Sequence, residues 1–239
     1  MSFIVVIPAR YESGRFPGKP LTKIKGVPMI IRTFNQCLKA VGRKKIFVAT
    51  DDSRIQKLCL ENNMQVIMTS KKCLTGTDRI AEVSKKIKVS NYVNVQGDEP
   101  IFNPSDIKKL IDQTKRYKNL IINGYCKIED KKLFYNGNIP KVVFSNNGKL
   151  LYMSRAGIPT TKKLRYKLAW RQVCAYSIPY NALKAFYDYG KKTPLEKLED
   201  CELLRFLELG YEIKMIKMST KSISVDLKED VKKVEKFIK

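Results

Sequence analysis

Phe3-Ile-Val-Val-Ile-Pro8-Ala-Arg10-Tyr-Glu-Ser13-Gly-Arg15-Phe-Pro-Gly18-Lys19-Pro20 begins as an apolar, β-branched run and turns at once into a segment of glycine, proline and cations. The run predicts a buried strand. The segment after it predicts a loop with shaped backbone and positive charge. In an open α/β sheet, ligands bind beyond the carboxyl ends of strands. Arg10, Arg15 and Lys19 are therefore placed to meet a polyanion, most simply a nucleoside triphosphate.

Working outward, strand-like and helix-like segments alternate through the first half. Strands are expected at 45–50, 65–68 and 91–95, and helices at about 54–62, 77–88 and from Asn103-Pro104 onward. Repeated β-α-β order implies an α/β fold with a mostly parallel sheet and helices on both faces. From about 120 to 180 the pattern changes to strands and turns, with Asn146-Asn-Gly148 as a hairpin turn. This stretch reads as a β-rich inserted lobe in a single domain spanning 1–239, serving substrate binding or dimerisation. Helices are expected again at 181–189 and 194–208, a strand at 211–217, and a last helix from about Lys228.

Composition narrows the chemistry. The 239 residues carry no histidine, which excludes Ser-His and Cys-His nucleophiles and His-ligated metals. Six cysteines stand far apart and never as Cys-x-x-Cys, so reduced thiols are expected rather than zinc. A metal, if used, should be a hard ion held by carboxylates. No apolar run approaches a membrane span, and the chain enters its first strand with no room for a signal peptide; a cytoplasmic protein is expected. The formal charge of +24 raises nucleic-acid binding as an alternative. Its lysine doublets are spread along the whole chain, however, without a basic tail or an aromatic-interleaved patch, and this favours solvated faces.

Two more loops carry candidate chemistry. Val95-Gln96-Gly97-Asp98-Glu99-Pro100 puts carboxylates at a strand end, and magnesium commonly takes one or two carboxylates plus substrate phosphates. Asp98 is one candidate ligand and Asp226, before the last helix, the other. Taken singly, each has a plainer reading, as a turn residue and a helix cap respectively. Leu74-Thr75-Gly76-Thr77-Asp78-Arg79 precedes a helix, whose N-terminus suits a phosphate or a base edge.

Taken in order, Ile7–Leu21, Ala49–Asp52, Thr75–Arg79, Val95–Pro100, Tyr152–Pro159, Pro194–Glu199 and Ser224–Leu227 resemble the motifs of 3-deoxy-manno-octulosonate (Kdo) cytidylyltransferases, over nearly the whole chain. The resemblance implies a Rossmann-like nucleotidyltransferase core that joins CTP to an acidic sugar and releases pyrophosphate, with Mg2+ as cofactor and a homodimer as the assembly. It implies Arg10, Lys19 and Asp98 as catalytic, and Arg10, Ser13, Arg15, Lys19, Thr75, Arg79 and Gln96 as nucleotide-binding. Asp98 and Asp226 would hold the metal, and Arg155, Gln172, Tyr176 and Glu202 the sugar. The expected setting is lipopolysaccharide or surface polysaccharide synthesis.

The sugar side departs from the family pattern. Gln172 stands where the family strand His-Ile-Gly-Ile-Tyr has histidine, and Cys174 where it has glycine; Leu203 replaces an amide in Leu-Glu-Gln-Leu-Arg. Losing a hydrogen-bonding group changes discrimination among hydroxyls. A sugar related to Kdo is therefore expected, such as an 8-amino octulosonate or a nonulosonic, sialic-type acid.

Overall fold

The computed structural model describes residues 1–239 except Ser13, Arg15, Lys221 and Lys239. Along the chain, β1 (Phe3–Ala9) is followed by a small hairpin of β2 (Lys23–Ile24) and β3 (Val27–Pro28), then α1 (Met29–Leu38), β4 (Ile46–Thr50), α2 (Ser53–Glu61) and β5 (Gln65–Met68). Next come α3 (Gly76–Lys86), β6 (Asn91–Val95), α4 (Pro104–Arg116), β7 (Ile121–Lys127), α5 (Lys131–Tyr135), β8 (Lys141–Phe144) and β9 (Leu150–Ser154). The chain closes with β10 (Trp170–Pro179), α6 (Tyr180–Tyr189), α7 (Pro194–Glu199), α8 (Leu203–Glu208), β11 (Ile213–Lys217) and α9 (Lys228–Glu235).

The central sheet runs β11-β7-β10-β6-β1-β4-β5. β1 lies between β6 and β4, parallel to both, and β4 continues parallel to β5. Their carboxyl ends, at Ala9, Thr50 and Val95, therefore open on one edge. Alternation along β1 serves two cores. Val5 and Ile7 pack with Ile30, Phe34, Ile55 and Leu110 of α1, α2 and α4. Ile4 and Val6 pack on the other face with Ile80, Leu183, Leu204 and Phe206 of α3, α6 and α8. Burial on both faces explains why the strand reads as an unbroken apolar run.

The stretch 120–180 divides in the structure. β7 and β10 are strands of the central sheet, with β10 antiparallel to both β6 and β7. Only β8 and β9 stand off the main path, β8 pairing with β9 and with the start of β10. Between Val173 and Tyr176 the register of β10 slips against β7, and the buried Asn123 amide donates to the carbonyls of both Val173 and Ala175 there. The amide thus stitches a β-bulge that would otherwise leave two buried acceptors unpaired.

The helix expected over 194–208 is two helices. Asp200 takes a left-handed conformation at φ 48°, ending α7, and α8 restarts at Leu203. Aspartate tolerates that region better than most residues, and its contacts, described below, hold it there. Asp226 is not a helix cap: α9 starts after Leu227, and Asp230 accepts the backbone N–H groups of Asp226 and Leu227. No described helix is long and apolar enough to cross a membrane.

Candidate active site

The first wall of the cavity at the sheet edge comes from β1 and β6. Gly97 is required here, because a Cβ would stand 2.7 Å from the Pro8 carbonyl oxygen. Its absence lets the chain leaving β6 press against β1 and brings Asp98 beside the first loop. Gly18, at φ 71° with the Tyr11 ring against it, turns that loop back so that Lys19 points inward. Lys19 Nζ donates to Asp98 Oδ2 at 2.6 Å and to the Val225 carbonyl at 2.9 Å. The Val225 N–H in turn donates to the Asp98 carbonyl at 2.9 Å, which seats Asp226 next to Asp98 on the same wall.

Negative charge accumulates at this wall. Glu99, buried behind Asp98, is pushed up to about 8, first by burial, then by the charge of Asp98 and further by that of Asp226, against the pull of Arg171 and Lys19. The carboxylates stand near enough to repel one another, and Lys19 offsets only part of that charge. Two oxygen-bearing aspartates at a cation-rich loop fit a hard divalent ion that takes its remaining ligands from phosphates and water. Among the described residues there is no group of three His, Cys, Asp or Glu side chains able to hold a metal without such help.

A second wall is the start of α3. Thr75 caps the helix: its Oγ1 accepts from the Asp78 N–H at 3.1 Å and donates to Asp78 Oδ2 at 2.7 Å. Glu202 accepts from the N–H groups of Gly76 and Thr77 at 3.1 and 3.0 Å, and from the Thr77 hydroxyl. Burial raises Glu202 above its ordinary range, with those donors pulling the other way. Arg79 lies buried, with Nη2 on Asp51 Oδ2 at 2.8 Å and Nη1 on the Thr69 hydroxyl at 2.5 Å. Gln96 lies against Gly76 and shares a hydrogen bond with Tyr176.

The third wall was only partly legible in the sequence. Lys192, Glu196 and Asp200, from α7 and the turns around it, also line the cavity. Lys192 Nζ donates to Asp200 Oδ1 at 2.6 Å. Behind them Arg205, fully buried, pairs with both oxygens of Glu196 at 2.6 and 2.8 Å and with Asp78 Oδ1 at 2.9 Å. That network ties α8 and α7 to the start of α3. In the sequence, Pro194–Glu199 enters as one of the ordered motifs of the resemblance with no role given to Glu196, and Lys192 reads as one more surface doublet.

Of the expected site residues, the cavity brings together Arg10, Lys19, Thr75, Arg79, Gln96, Asp98, Glu202 and Asp226. Ser13 and Arg15 fall outside the described residues. Among the described residues the wall omits Arg155, Gln172 and Tyr176. Arg155 spends its guanidinium on carbonyls: Nε on Glu199 at 2.5 Å, Nη1 on Gly137 at 3.0 Å and Nη2 on Asp200 at 3.0 Å. Gln172 and Tyr176 are buried in β10, where burial raises Tyr176 well above its ordinary range. Leu203 is buried in the core beneath α8.

Residues 4–222 match the family model described as cytidylyltransferase. The chain is 38% identical over 246 residues to the 3-deoxy-manno-octulosonate cytidylyltransferase of Protochlamydia amoebophila, covering 98% of this chain and 93% of that protein. It is 36% identical over 241 residues to the 8-amino-3,8-dideoxy-manno-octulosonate cytidylyltransferase of Shewanella pealeana, covering 97% and 96%. Among solved structures, CMP:2-keto-3-deoxy-manno-octonic acid synthetase complexed with CTP matches with a TM-score of 0.91 at 30% identity, over 99% of this chain and 98% of that one. HddC from Yersinia pseudotuberculosis shares the fold at 18% identity, with a TM-score of 0.73 over the full length of both chains. With a Rossmann-like sheet and full-length kinship of this kind, the chain belongs to the cytidylyltransferase family and is a nucleotidyltransferase.

Proposed function

We propose that this enzyme couples CTP to a 3-deoxy-2-ulosonic sugar acid, Kdo or its 8-amino analogue, giving the CMP-sugar and pyrophosphate for lipopolysaccharide or other surface polysaccharide. The observation that carries the reading is the Lys19–Asp98 pair with Asp226 beside it, at the common carboxyl edge of β1 and β6. Relatives of both names, similar along their whole lengths, support the choice of acid.

In this reading the anomeric hydroxyl oxygen of the acid attacks the α-phosphorus of CTP. The new O–P bond forms as the bond to pyrophosphate breaks, and the hydroxyl proton passes to water. Such transfers rest on positioning and on neutralising charge. Arg10 and Lys19 meet the triphosphate, and the resemblance adds Ser13 and Arg15, which lie between them in the sequence. Thr75, Arg79 and Gln96 hold the nucleotide from the start of α3 and the end of β6. Asp98 and Asp226 hold magnesium, which when bound supplies further positive charge to the phosphate oxygens. A homodimer is part of the proposal, as the family resemblance implies.

The test is pyrophosphate release from CTP, with UTP, ATP and GTP as controls, and Kdo or its 8-amino analogue as acceptor. Release should need CTP, magnesium and the acid together, and its rate with each acid measures which of the two the enzyme prefers. Failure with both acids overturns the acceptor class. Asp98→Asn should lower turnover about a hundredfold or more while leaving the melting curve cooperative. Unchanged turnover would remove Asp98 from the site.

A further inference from the structure

The triphosphate half of the proposed site depends on the loop after β1, whose sequence gathers the like charges of Arg10, Arg15 and Lys19. Closing such a loop costs free energy before an anion arrives, because cations repel one another. Its returning side is anchored by Phe16, buried with Ile24, Met29 and Val225. Its outgoing side is anchored at Tyr11, whose carbonyl accepts the Gly18 N–H at 2.9 Å. The Tyr11 ring also lies against Gly18, where an added Cβ would meet its hydroxyl end at 3.3 Å. The loop is thus closed at Tyr11 and Gly18, next in sequence to Arg10 and Lys19.

Tyr11 is itself held from outside the loop. The Arg54 guanidinium lies over its ring, with Cζ 3.3 Å from the centroid. Arg54 stands in the first turn of α2, and Asp52 sets its fork: Nε donates to Oδ1 at 3.0 Å and Nη2 to Oδ2 at 2.7 Å. The Asp52 N–H donates in turn to the Thr50 hydroxyl at 3.3 Å, at the end of β4. Because β4 runs parallel to β1, the start of α2 and the loop after β1 leave the sheet side by side. The Arg54 side chain is 56% exposed, and an ion pair so open adds little to stability. What the pair does provide is orientation: a bidentate carboxylate holds the flat guanidinium in the plane that stacks on the ring.

We infer that Arg54 is a positioning residue for the triphosphate: its guanidinium latches Tyr11, and through Tyr11 keeps the loop that carries Arg10 and Lys19 closed before the nucleotide binds. This deepens the function proposed above and rests on it for the identity of the nucleotide. The gain is preorganisation, since a loop already closed has less freedom to lose at the moment of binding. Among the described residues that line the cavity Arg54 does not appear, so it acts through Tyr11 and leaves the phosphates to Arg10 and Lys19. The latch joins the ends of two neighbouring parallel strands, β1 and β4, and so ties the phosphate side of the cavity to the sheet itself.

The experiment is calorimetric titration of the full chain with CTP and with CMP, both in magnesium and without the acid. Arg54→Ala removes the latch but keeps the N–H that Asp52 accepts, so the cap of α2 survives. It should weaken CTP about three- to tenfold, the worth of a part-exposed cation–π contact, and CMP, which lacks the outer phosphates, less than about twofold. Tyr11→Leu should act in the same way, and the double variant should bind CTP no more weakly than the worse single one, because both remove one interaction. Amide hydrogen exchange at Gly18 should quicken in Arg54→Ala, since that N–H is held by the Tyr11 carbonyl. Unchanged CTP affinity or unchanged Gly18 exchange in Arg54→Ala overturns the inference. An equal loss for CMP overturns it too, as the mark of a general structural defect. So do losses that multiply in the double variant, because Arg54 would then meet the nucleotide independently of Tyr11. Should Tyr11→Leu fail to fold, Arg54→Ala decides alone through the two titrations and the exchange rate. A parent chain that binds no CTP overturns the proposed function itself, so the two failures are distinguishable.

Discussion

Arg205 shows how far a single side chain can extend the site without touching substrate. It is wholly buried, over the Phe186 ring at 3.6 Å, and its charge is met by Glu196 and Asp78, one on α7 and one on the first turn of α3. Removing one member of a buried network leaves its partners charged and unsolvated, which costs about 3–5 kcal/mol. Arg205→Ala should therefore lower the unfolding free energy by about that amount in urea denaturation, and turnover should fall with it as Thr75 and Asp78 lose their support. Asp98 and Glu99 make a related point. They are neighbours in sequence, yet one faces the cavity beside Lys19 while the other is buried and pushed up to about 8. The pair of acids is visible in the sequence; which of them faces the cavity and which is buried is decided by the fold.

At the scale of elements, local signals served best where the chain caps itself. Asp52 accepts the Arg54 N–H at 2.9 Å and so begins α2, close to where the sequence predicts a helix over about 54–62. The hydrogen bond from the Arg54 side chain, with the capping N–H bonds, lowers Asp52 from its ordinary value of 3.8. A lowered carboxyl binds fewer protons folded than unfolded in the acid range, so its contribution is complete above the ordinary value and fades as pH falls through the folded value. Asp52→Ala should cost about 1 kcal/mol at neutral pH, and the gap between the two urea curves should shrink below pH 3.8. Its persistence unchanged in acid would show that the carboxylate charge is not what stabilises the helix. Other element boundaries depended on distant partners. The break between α7 and α8 is held by Lys192 and Arg155, and the bulge in β10 by Asn123 of a neighbouring strand, so neither leaves a local mark.

For the whole molecule, the formal charge of +24 comes from lysines and arginines spread along the entire sequence. Both substrates of the proposed reaction are anions, and a positive field raises their local concentration in a way that salt screens. The ratio kcat/KM for CTP should fall steadily as potassium chloride is raised, while kcat at saturation stays nearly level. A salt-independent ratio would show that the net charge plays no part in capture. The parallel strands, their order along the chain, the cation-rich first loop and the two aspartates were all determined by the sequence itself, because apolar periodicity, turn residues and ordered motifs are local. Tertiary structure alone decided that β7 and β10 join the central sheet, that Arg155 turns away from the cavity, and that Lys192 and Asp200 enter it. The reason is physical: a charged side chain's role depends on which groups compete for it, and those that claim Arg155 lie 44, 18 and 45 residues away along the chain until it folds.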